Sequence, residues 1–166
     1  MATLSDLETA DALVRIEVPL DTGDQPWRRL YGTPEFIKWL DEDLPVLETT
    51  VIGGDSEPSE QVDAVMFDFV RGAHLNSDKR FKRLTSTPDY SVWEFKTPDI
   101  RIFGWVPMID TFICCFGDMK DRIELLRSYM TYIARTKYVR DQIPLDEPKS
   151  IDGGEYDNVL SDAKQL

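Results

Sequence analysis

Apolar residues recur along the chain at two spacings, and each spacing predicts a type of element. They alternate with polar residues over 13–18, which predicts a half-buried strand. Thr33 and Pro34 predict the start of a first helix, because threonine caps free N–H groups and proline suits the first turn. A second helix is predicted from Ser59 to Gly72, since its apolar residues recur at helical spacing: Val62, Val65, Met66, Phe69 and Val70.

The centre of the chain predicts three strands in close succession, at residues 90–96, 100–106 and 111–116. The turns between them are only a few residues long. The strands must therefore form an antiparallel meander, because a parallel return needs about a dozen residues or more. A third helix is predicted over residues 121–140, where apolar residues again recur on one side.

The resulting order is strand, helix, helix, three strands and helix. This order predicts an α+β fold in which an antiparallel meander packs against helices. The length of 166 residues favours a single domain, which we assign to residues 1–140. Residues 141–166 are acidic and rich in turn-forming residues, which predicts a flexible tail.

Charge divides the chain into three segments within a net charge of −12. Residues 1–75 carry 5 Lys or Arg and 16 Asp or Glu, residues 76–140 carry 12 and 8, and residues 141–166 carry 2 and 7. The overall charge argues against a general nucleic-acid-binding protein. The basic centre indicates either an ordinary solvated surface or a basic site flanked by acidic segments.

Several common chemistries lack the residues they need. His74 is the single histidine, and Cys114 and Cys115 are adjacent in a predicted apolar strand, so zinc-ligand spacing is absent and the cysteines are expected in the core. Neither a phosphate-binding Gly–Lys loop nor a hydrolase nucleophile elbow occurs. No apolar run approaches the roughly 20 residues of a membrane-spanning helix. The N-terminus lacks signal-peptide features, so we expect a cytoplasmic protein without a membrane partner.

Cations and aromatic side chains interleave through the basic centre. The cations of interest are Lys79, Lys82, Arg83, Lys96, Arg101, Lys120 and Arg122. The aromatic residues among them are Trp93, Phe95, Phe103 and Trp105. Exposed rings would stack on RNA bases while the cations bind phosphate. Alternation along strands favours instead that the rings belong to the core, and the sequence leaves both interpretations open.

The motifs of this centre resemble the RelE/HigB toxin superfamily, in particular its HigB-type, phage-derived branch. The residues that carry the resemblance are Phe81-Lys82-Arg83-Leu84, Val92-Trp93-Glu94-Phe95-Lys96, Ile100-Arg101-Ile102-Phe103, Thr111-Phe112-Ile113 and Phe116-Gly117-Asp118-Met119-Lys120. The resemblance covers about residues 81–120 in motif and about residues 13–140 in topology. It implies a RelE-like fold with the order β-α-α-β-β-β-α.

The resemblance also implies an activity, which is cleavage of mRNA, free or on the ribosome, restrained by a partner antitoxin. In this chemistry a ribose 2′-hydroxyl attacks the adjacent phosphate, and the protein supplies proton transfer and cations without a metal or other cofactor. By motif position, Arg101 and Lys120 are expected to stabilise the phosphate, and Lys96 is a third catalytic candidate. The remaining cations are expected to bind RNA: Lys79, Lys82, Arg83 and Arg122.

Departures from the family's motifs favour an alternative function. Asp118 and Asp121 lie beside the cations of the last motif, and the sequence pI is about 4.5, whereas the family's toxins are commonly basic. The alternative is a non-catalytic, phage-encoded binding or inhibitor protein of the same fold. Its acidic surface would engage a basic host protein complex.

The geometry of the cationic site depends on strand register. If the turn after the first strand of the meander pairs Lys96 with Ile100, Arg101 points to the opposite face of the sheet from Lys96. A shift of one residue places both cations on one face. The sequence leaves the two registers open, and its motifs place no histidine or tyrosine for proton transfer.

Overall fold

A computed structural model describes residues 1–76, 79–86 and 92–163. Within them the chain forms one six-stranded sheet covered by helices, which confirms the predicted α+β class. The strands are β1 (Val14–Arg15), β2 (Arg29–Gly32), β3 (Phe81–Arg83), β4 (Val92–Lys96), β5 (Ile100–Met108) and β6 (Thr111–Met119). They lie in the order β1-β2-β6-β5-β4-β3. The pair β2 and β6 is parallel and every other pair is antiparallel.

The helices are α1 (Leu4–Thr9), α2 (Pro34–Lys38), α3 (Pro58–Val70), α4 (Lys120–Leu126), α5 (Tyr129–Gln142) and α6 (Tyr156–Val159). The chain continues from α2 through a π-helical turn (Trp39–Asp43) and a 3₁₀ turn (Leu44–Val46). The predicted start of the first helix is confirmed, because the Thr33 hydroxyl accepts a hydrogen bond from the Phe36 N–H at 3.2 Å. Gly72, with φ of +85°, lies just beyond the end of α3 as predicted.

The meander is present as β4, β5 and β6, joined by short turns. Strands β5 and β6 extend two and three residues beyond their predicted ends. The first strand of the meander is predicted to begin at Tyr90, and Tyr90 and Ser91 lie outside the described residues. The turn between β4 and β5 is closed by Thr97, whose hydroxyl accepts a hydrogen bond from the Ile100 N–H at 2.9 Å.

Two strands and one helix break were not predicted from the sequence. Strand β2 has no alternating pattern and forms by parallel pairing with β6, while β3 lies in what the sequence presents as a basic cluster and pairs with β4. The predicted single helix over residues 121–140 is wrong at Arg127, which adopts a left-handed conformation with φ of +51°. The break separates α4 from α5, and α5 packs back onto the sheet.

The sheet is buried on both faces. The face under α2 and α3, here the α3 face, holds a cluster of rings that includes Phe69, Phe81, Phe95 and Phe112. The face under α1 and α5, here the α5 face, holds Phe103, Trp105, Ile113 and Phe116. The four aromatic residues of the basic centre are at most 2% exposed: Trp93, Phe95, Phe103 and Trp105. They therefore form the core and do not offer stacking surfaces for RNA bases.

The acidic end of the chain, predicted as a flexible tail, packs against the domain through residues 143–163, here the C-terminal segment. Ile143, Leu145, Val159 and Leu160 are buried in it. The Asp146 N–H donates to the Ala2 carbonyl oxygen at 2.8 Å. Apolar side chains spaced along an acidic sequence anchor this segment. The prediction of a flexible tail considered only the overall composition, which is dominated by the acidic residues.

Candidate functional site

Strand register brings two of the predicted catalytic cations together. Lys96 of β4 lies directly opposite Arg101 of β5, and Arg101 lies opposite Asp118 of β6. Residues directly opposite each other in neighbouring strands point to the same face of a sheet. The register with both cations on one face is therefore the one that the chain adopts.

A buried carboxylate lies on the same face, two residues before Lys96. Glu94 is 2% exposed and lies opposite Lys82 on one side and Phe103 on the other. Burial raises the pKa of Glu94 to about 7, against the opposing attraction of Arg101 and Lys96 and a hydrogen bond from Tyr129. Its Oε2 atom is buried and has no hydrogen-bond partner among the described residues. A carboxyl group with these properties can both accept and release a proton near neutral pH.

Arg101 is held in place next to Glu94. Its Nη1 donates to the carbonyl oxygens of Thr97 and Ile100 at 2.6 and 3.0 Å, and its Nε donates to the Tyr129 hydroxyl at 3.2 Å. Its exposed fraction is 7%. Burial raises the pKa of Tyr129, so its hydroxyl stays neutral and keeps a proton that it can donate. Tyr129 is the first residue of α5, so this helix closes one side of the cluster.

Three lysines surround the buried cluster, and we call Lys82, Lys96 and Lys120 the rim lysines. Burial lowers the pKa of Lys96, followed by repulsion from Arg101, while Glu94 opposes the shift. Lys82 and Lys120 add smaller repulsions, which places both charges near Lys96. The Lys120 ammonium lies 4.0 Å from the Glu124 carboxylate and its side chain is 39% exposed. The rim lysines therefore present positive charge to solvent beside a buried proton acceptor.

The two carboxylates that depart from the family's motif have their own partners. Asp118 accepts a hydrogen bond from the Tyr132 hydroxyl at 2.6 Å and lies 3.4 Å from the Nε of Arg122. Burial and the hydrogen bond to Asp118 raise the pKa of Tyr132 to about 12. Asp121 accepts a hydrogen bond from the Thr50 hydroxyl at 2.5 Å. These bonds direct the carboxylates toward α5 and the loop around Thr50.

Three of the cations predicted to bind RNA lie apart from this cluster. Arg122 is 61% exposed and is paired with Asp118. Arg83 alternates with Lys82 along β3, so it points to the α3 face, where it donates to the Gly154 carbonyl oxygen of the C-terminal segment. Lys79 lines a separate cleft of about 510 Å³ that also includes Lys96. Of the seven predicted cations, three act directly on Glu94, namely Lys82, Lys96 and Arg101, and Lys120 acts on the adjacent Lys96.

A second buried carboxylate fixes the turn that aligns the cationic pair. Asp99 is 2% exposed and accepts hydrogen bonds from the Thr49 hydroxyl at 2.6 Å, the Gln61 amide at 2.7 Å and the Thr50 N–H at 3.0 Å. Its own carbonyl oxygen accepts from the Lys120 N–H at 2.7 Å. Burial on its own would raise the pKa of Asp99, but these hydrogen bonds outweigh it and lower the pKa. Asp99 thus couples the β4–β5 turn to the start of α4.

We expect Asp99→Asn to lower the free energy of unfolding by about 2 kcal/mol, because an amide group cannot accept hydrogen bonds from three donors on both of its terminal atoms as a carboxylate does. The lowered pKa means that the carboxylate stabilises the fold at neutral pH and that this contribution is lost as the pH falls through the folded-state pKa. Urea unfolding at pH 7 and pH 3 should show a difference between variant and parent that narrows in acid. Asp24→Asn, in an exposed turn, is the control and should leave the midpoint unchanged. A midpoint of Asp99→Asn equal to that of the parent at pH 7 would contradict the assignment.

Glu94 and Tyr129 are the two site residues that the sequence analysis did not select. Glu94 carries a recognisable signal, because it is the one acidic residue in β4 and stands between the aromatic residues Trp93 and Phe95. Tyr129 carries none, since its approach to Arg101 depends on the break at Arg127 and the return of α5 over the sheet.

Comparison of the chain with protein-family models returned no matching family, and searches of curated proteins and of solved structures returned no significant match. Among the described residues, no group of three or more His, Cys, Asp or Glu side chains is arranged to hold a metal ion. No helix within these residues is both long enough and apolar enough to cross a membrane.

Proposed function

We propose that this chain is a cytoplasmic, RNA-cleaving protein of the RelE/HigB toxin type that acts on mRNA, free or on the ribosome. The observation that carries the proposal is the pairing of Lys96 with Arg101 on the sheet face that also holds Glu94. This pairing puts a proton acceptor and several cations within one cluster, which is what attack of a 2′-hydroxyl on a phosphate requires.

In the proposed reaction Glu94 accepts the proton of the ribose 2′-hydroxyl as its oxygen bonds to phosphorus. The bond from phosphorus to the 5′-oxygen breaks, which leaves a cyclic phosphate on one product and a hydroxyl on the other. Arg101 and the rim lysines stabilise the negative charge that develops on the phosphate oxygens. Tyr129 positions Arg101 through its hydroxyl, and the leaving 5′-oxygen takes its proton from solvent. No step in this scheme uses a metal or another cofactor.

The path of the chain supports the fold-level part of the proposal. From β2 the chain passes through α2 and α3 into the strands of the meander, and then into α4 and α5. We propose that this path is a variant of the RelE-like order β-α-α-β-β-β-α, in which β3 is an additional strand at the sheet edge and the last helix is divided into α4 and α5. We propose that residues 1–140 form this domain and that an antitoxin protein restrains it.

The rim lysines offer a test that leaves the core intact, because their side chains are at least partly exposed. We expect Lys96→Gln and Lys120→Gln each to slow RNA cleavage about tenfold, the loss of roughly 1.4 kcal/mol of transition-state stabilisation. Cleavage is measured on a single-stranded RNA and in a translating extract, with products examined for a terminal cyclic phosphate. Lys38→Gln, an exposed lysine on α2, is the matched control and should cleave as the parent does. An unmodified chain that cleaves no RNA in either setting and does not arrest growth when expressed would refute the proposal.

A second candidate function is a non-catalytic binding or inhibitor protein of the same fold. It is favoured by the burial of Glu94 and by Arg101, whose Nε and Nη1 atoms already bind protein groups. In that case the cluster is a structural element and the acidic surface binds a basic host complex. The two functions differ in one result: in the second, neither the parent chain nor any rim-lysine variant cleaves RNA or arrests growth.

A further inference from the structure

A groove with an apolar lining lies away from the cationic cluster, next to α3. Its volume is about 740 Å³, within the range of clefts that bury a sizeable ligand. One wall of the groove is the segment that follows β1, and the other wall is the outer side of α3. The turns after α2 close one end. The apolar lining includes Val18, Leu40, Leu44, Met66 and Phe67.

Exposed carboxylates line the rim of this apolar groove. Glu17, Asp41 and Asp63 line it and all three are exposed, and no lysine, arginine or histidine lines it. Arg71 covers the lining residue Phe67 at 5.5 Å from the ring centre and is already paired with Asp68 at 2.9 Å. The surrounding segment, residues 36–63, carries eight Asp or Glu and one Lys. The groove thus joins an apolar floor to a negatively charged rim.

We infer that this groove binds a short amphipathic helix of a partner protein, with an apolar stripe directed inward and lysines or arginines along its flanks. The lining consists of side chains, and a helix is recognised through side-chain contacts in a groove, whereas an added strand needs free backbone groups. Basic flanks match the acidic rim and would raise the association rate as well as the affinity. The inference is independent of RNA cleavage, because the groove and the cationic cluster share no lining residue.

The test uses synthetic peptides as probes for the groove. One peptide of about 14 residues carries leucines at helical spacing with lysines and arginines elsewhere. A second has the same composition with the leucines shuffled, and a third replaces the cations with glutamate. We expect the first peptide to bind at least about tenfold more tightly than the other two, and its affinity to fall about tenfold between ~50 mM and ~300 mM salt.

Three variants of the full chain locate the binding site. Ala64→Trp puts a large ring into the groove from an exposed position on α3 and should weaken binding of the basic peptide about tenfold or more. Asp63→Lys should weaken binding of the basic peptide and strengthen binding of the glutamate peptide. Asp24→Lys, which makes the same charge change in an exposed turn outside the groove lining, should do neither. Equal binding of the shuffled peptide would mean attraction to net charge alone, and it would overturn the inference. So would an unchanged affinity in Ala64→Trp.

Discussion

Replacing Arg28 by methionine is expected to lower the free energy of unfolding by about 3–5 kcal/mol, because a buried guanidinium and its partners are coupled. Arg28 is fully buried between α3 and the C-terminal segment. Its Nη1 donates to the carbonyl oxygens of Phe69 and Ala73 at 3.1 and 2.9 Å, and its Nη2 donates to the Ser161 carbonyl oxygen and the Asp162 carboxylate, both at 2.7 Å. Methionine has a similar length but leaves all four acceptors without this donor.

Arg28→Met should loosen the C-terminal segment locally as well as lower the free energy of unfolding of the whole chain. Trp27 precedes Arg28 and its ring N–H donates to the Ser161 hydroxyl at 3.0 Å, so release of the C-terminal segment should alter Trp27 fluorescence and expose residues 155–163 to protease. Arg28→Lys keeps the charge but not the forked geometry, and it should lie between the parent and Arg28→Met. Arg71→Met, whose side chain is 46% exposed, is the control and should cost less than about 1 kcal/mol. If Arg28→Met unfolds at the same urea concentration as the parent, Arg28 does not hold the C-terminal segment.

The contacts between Arg28 and the C-terminal segment illustrate which parts of the fold can be predicted from the sequence. The start of α2, the apolar stripe of α3 and the meander depend on neighbours within a few residues, so their patterns were readable. Strand β2 and the C-terminal segment depend on partners far along the chain. Arg28 contacts residues more than 130 positions away, and no local pattern marks such a contact.

The candidate site likewise has a part that the sequence predicts and a part that depends on the three-dimensional structure. Motif position selected Lys96, Arg101 and Lys120. Lys96 and Arg101 lie next to Glu94, and Lys120 lies near Lys96. A shift of one residue in strand register changes which cations share a face of the sheet. The turn closed by Thr97 and Asp99 fixes that register. The raised pKa of Glu94 arises from burial under α5, which only the three-dimensional structure provides.

Replacing Glu94 by glutamine is expected to have opposite effects on activity and on stability. If Glu94 is the proton acceptor of the proposed reaction, Glu94→Gln should slow RNA cleavage by about 10²- to 10⁴-fold, the usual contribution of a positioned general base. The parent's activity should also rise with pH through about 7 as the carboxyl group loses its proton. Cleavage rates of parent and variant between pH 5 and pH 8.5 measure both effects.

Stability should change in the other direction because the folded-state pKa of Glu94 lies above its ordinary value of 4.5. Between pH 4.5 and about 7 the folded chain binds this proton more tightly than the unfolded chain does, so the free energy of unfolding falls as the pH rises. Above that window the buried carboxylate costs roughly 3 kcal/mol. Glu94→Gln removes this cost and should unfold at a higher urea concentration than the parent at pH 8, but not at pH 4.5.

Glu48→Gln, at an exposed loop position, is the matched control and should follow the parent in both assays. A variant that loses cleavage while gaining stability at pH 8 cannot owe its inactivity to misfolding, which is the usual uncertainty with a buried residue. A variant that gains stability at pH 8 and cleaves RNA as the parent does would assign Glu94 to the core and remove it from the mechanism. A variant that is destabilised at pH 8 by more than at pH 4.5 would show that the ion pairs of Glu94 outweigh the cost of its burial.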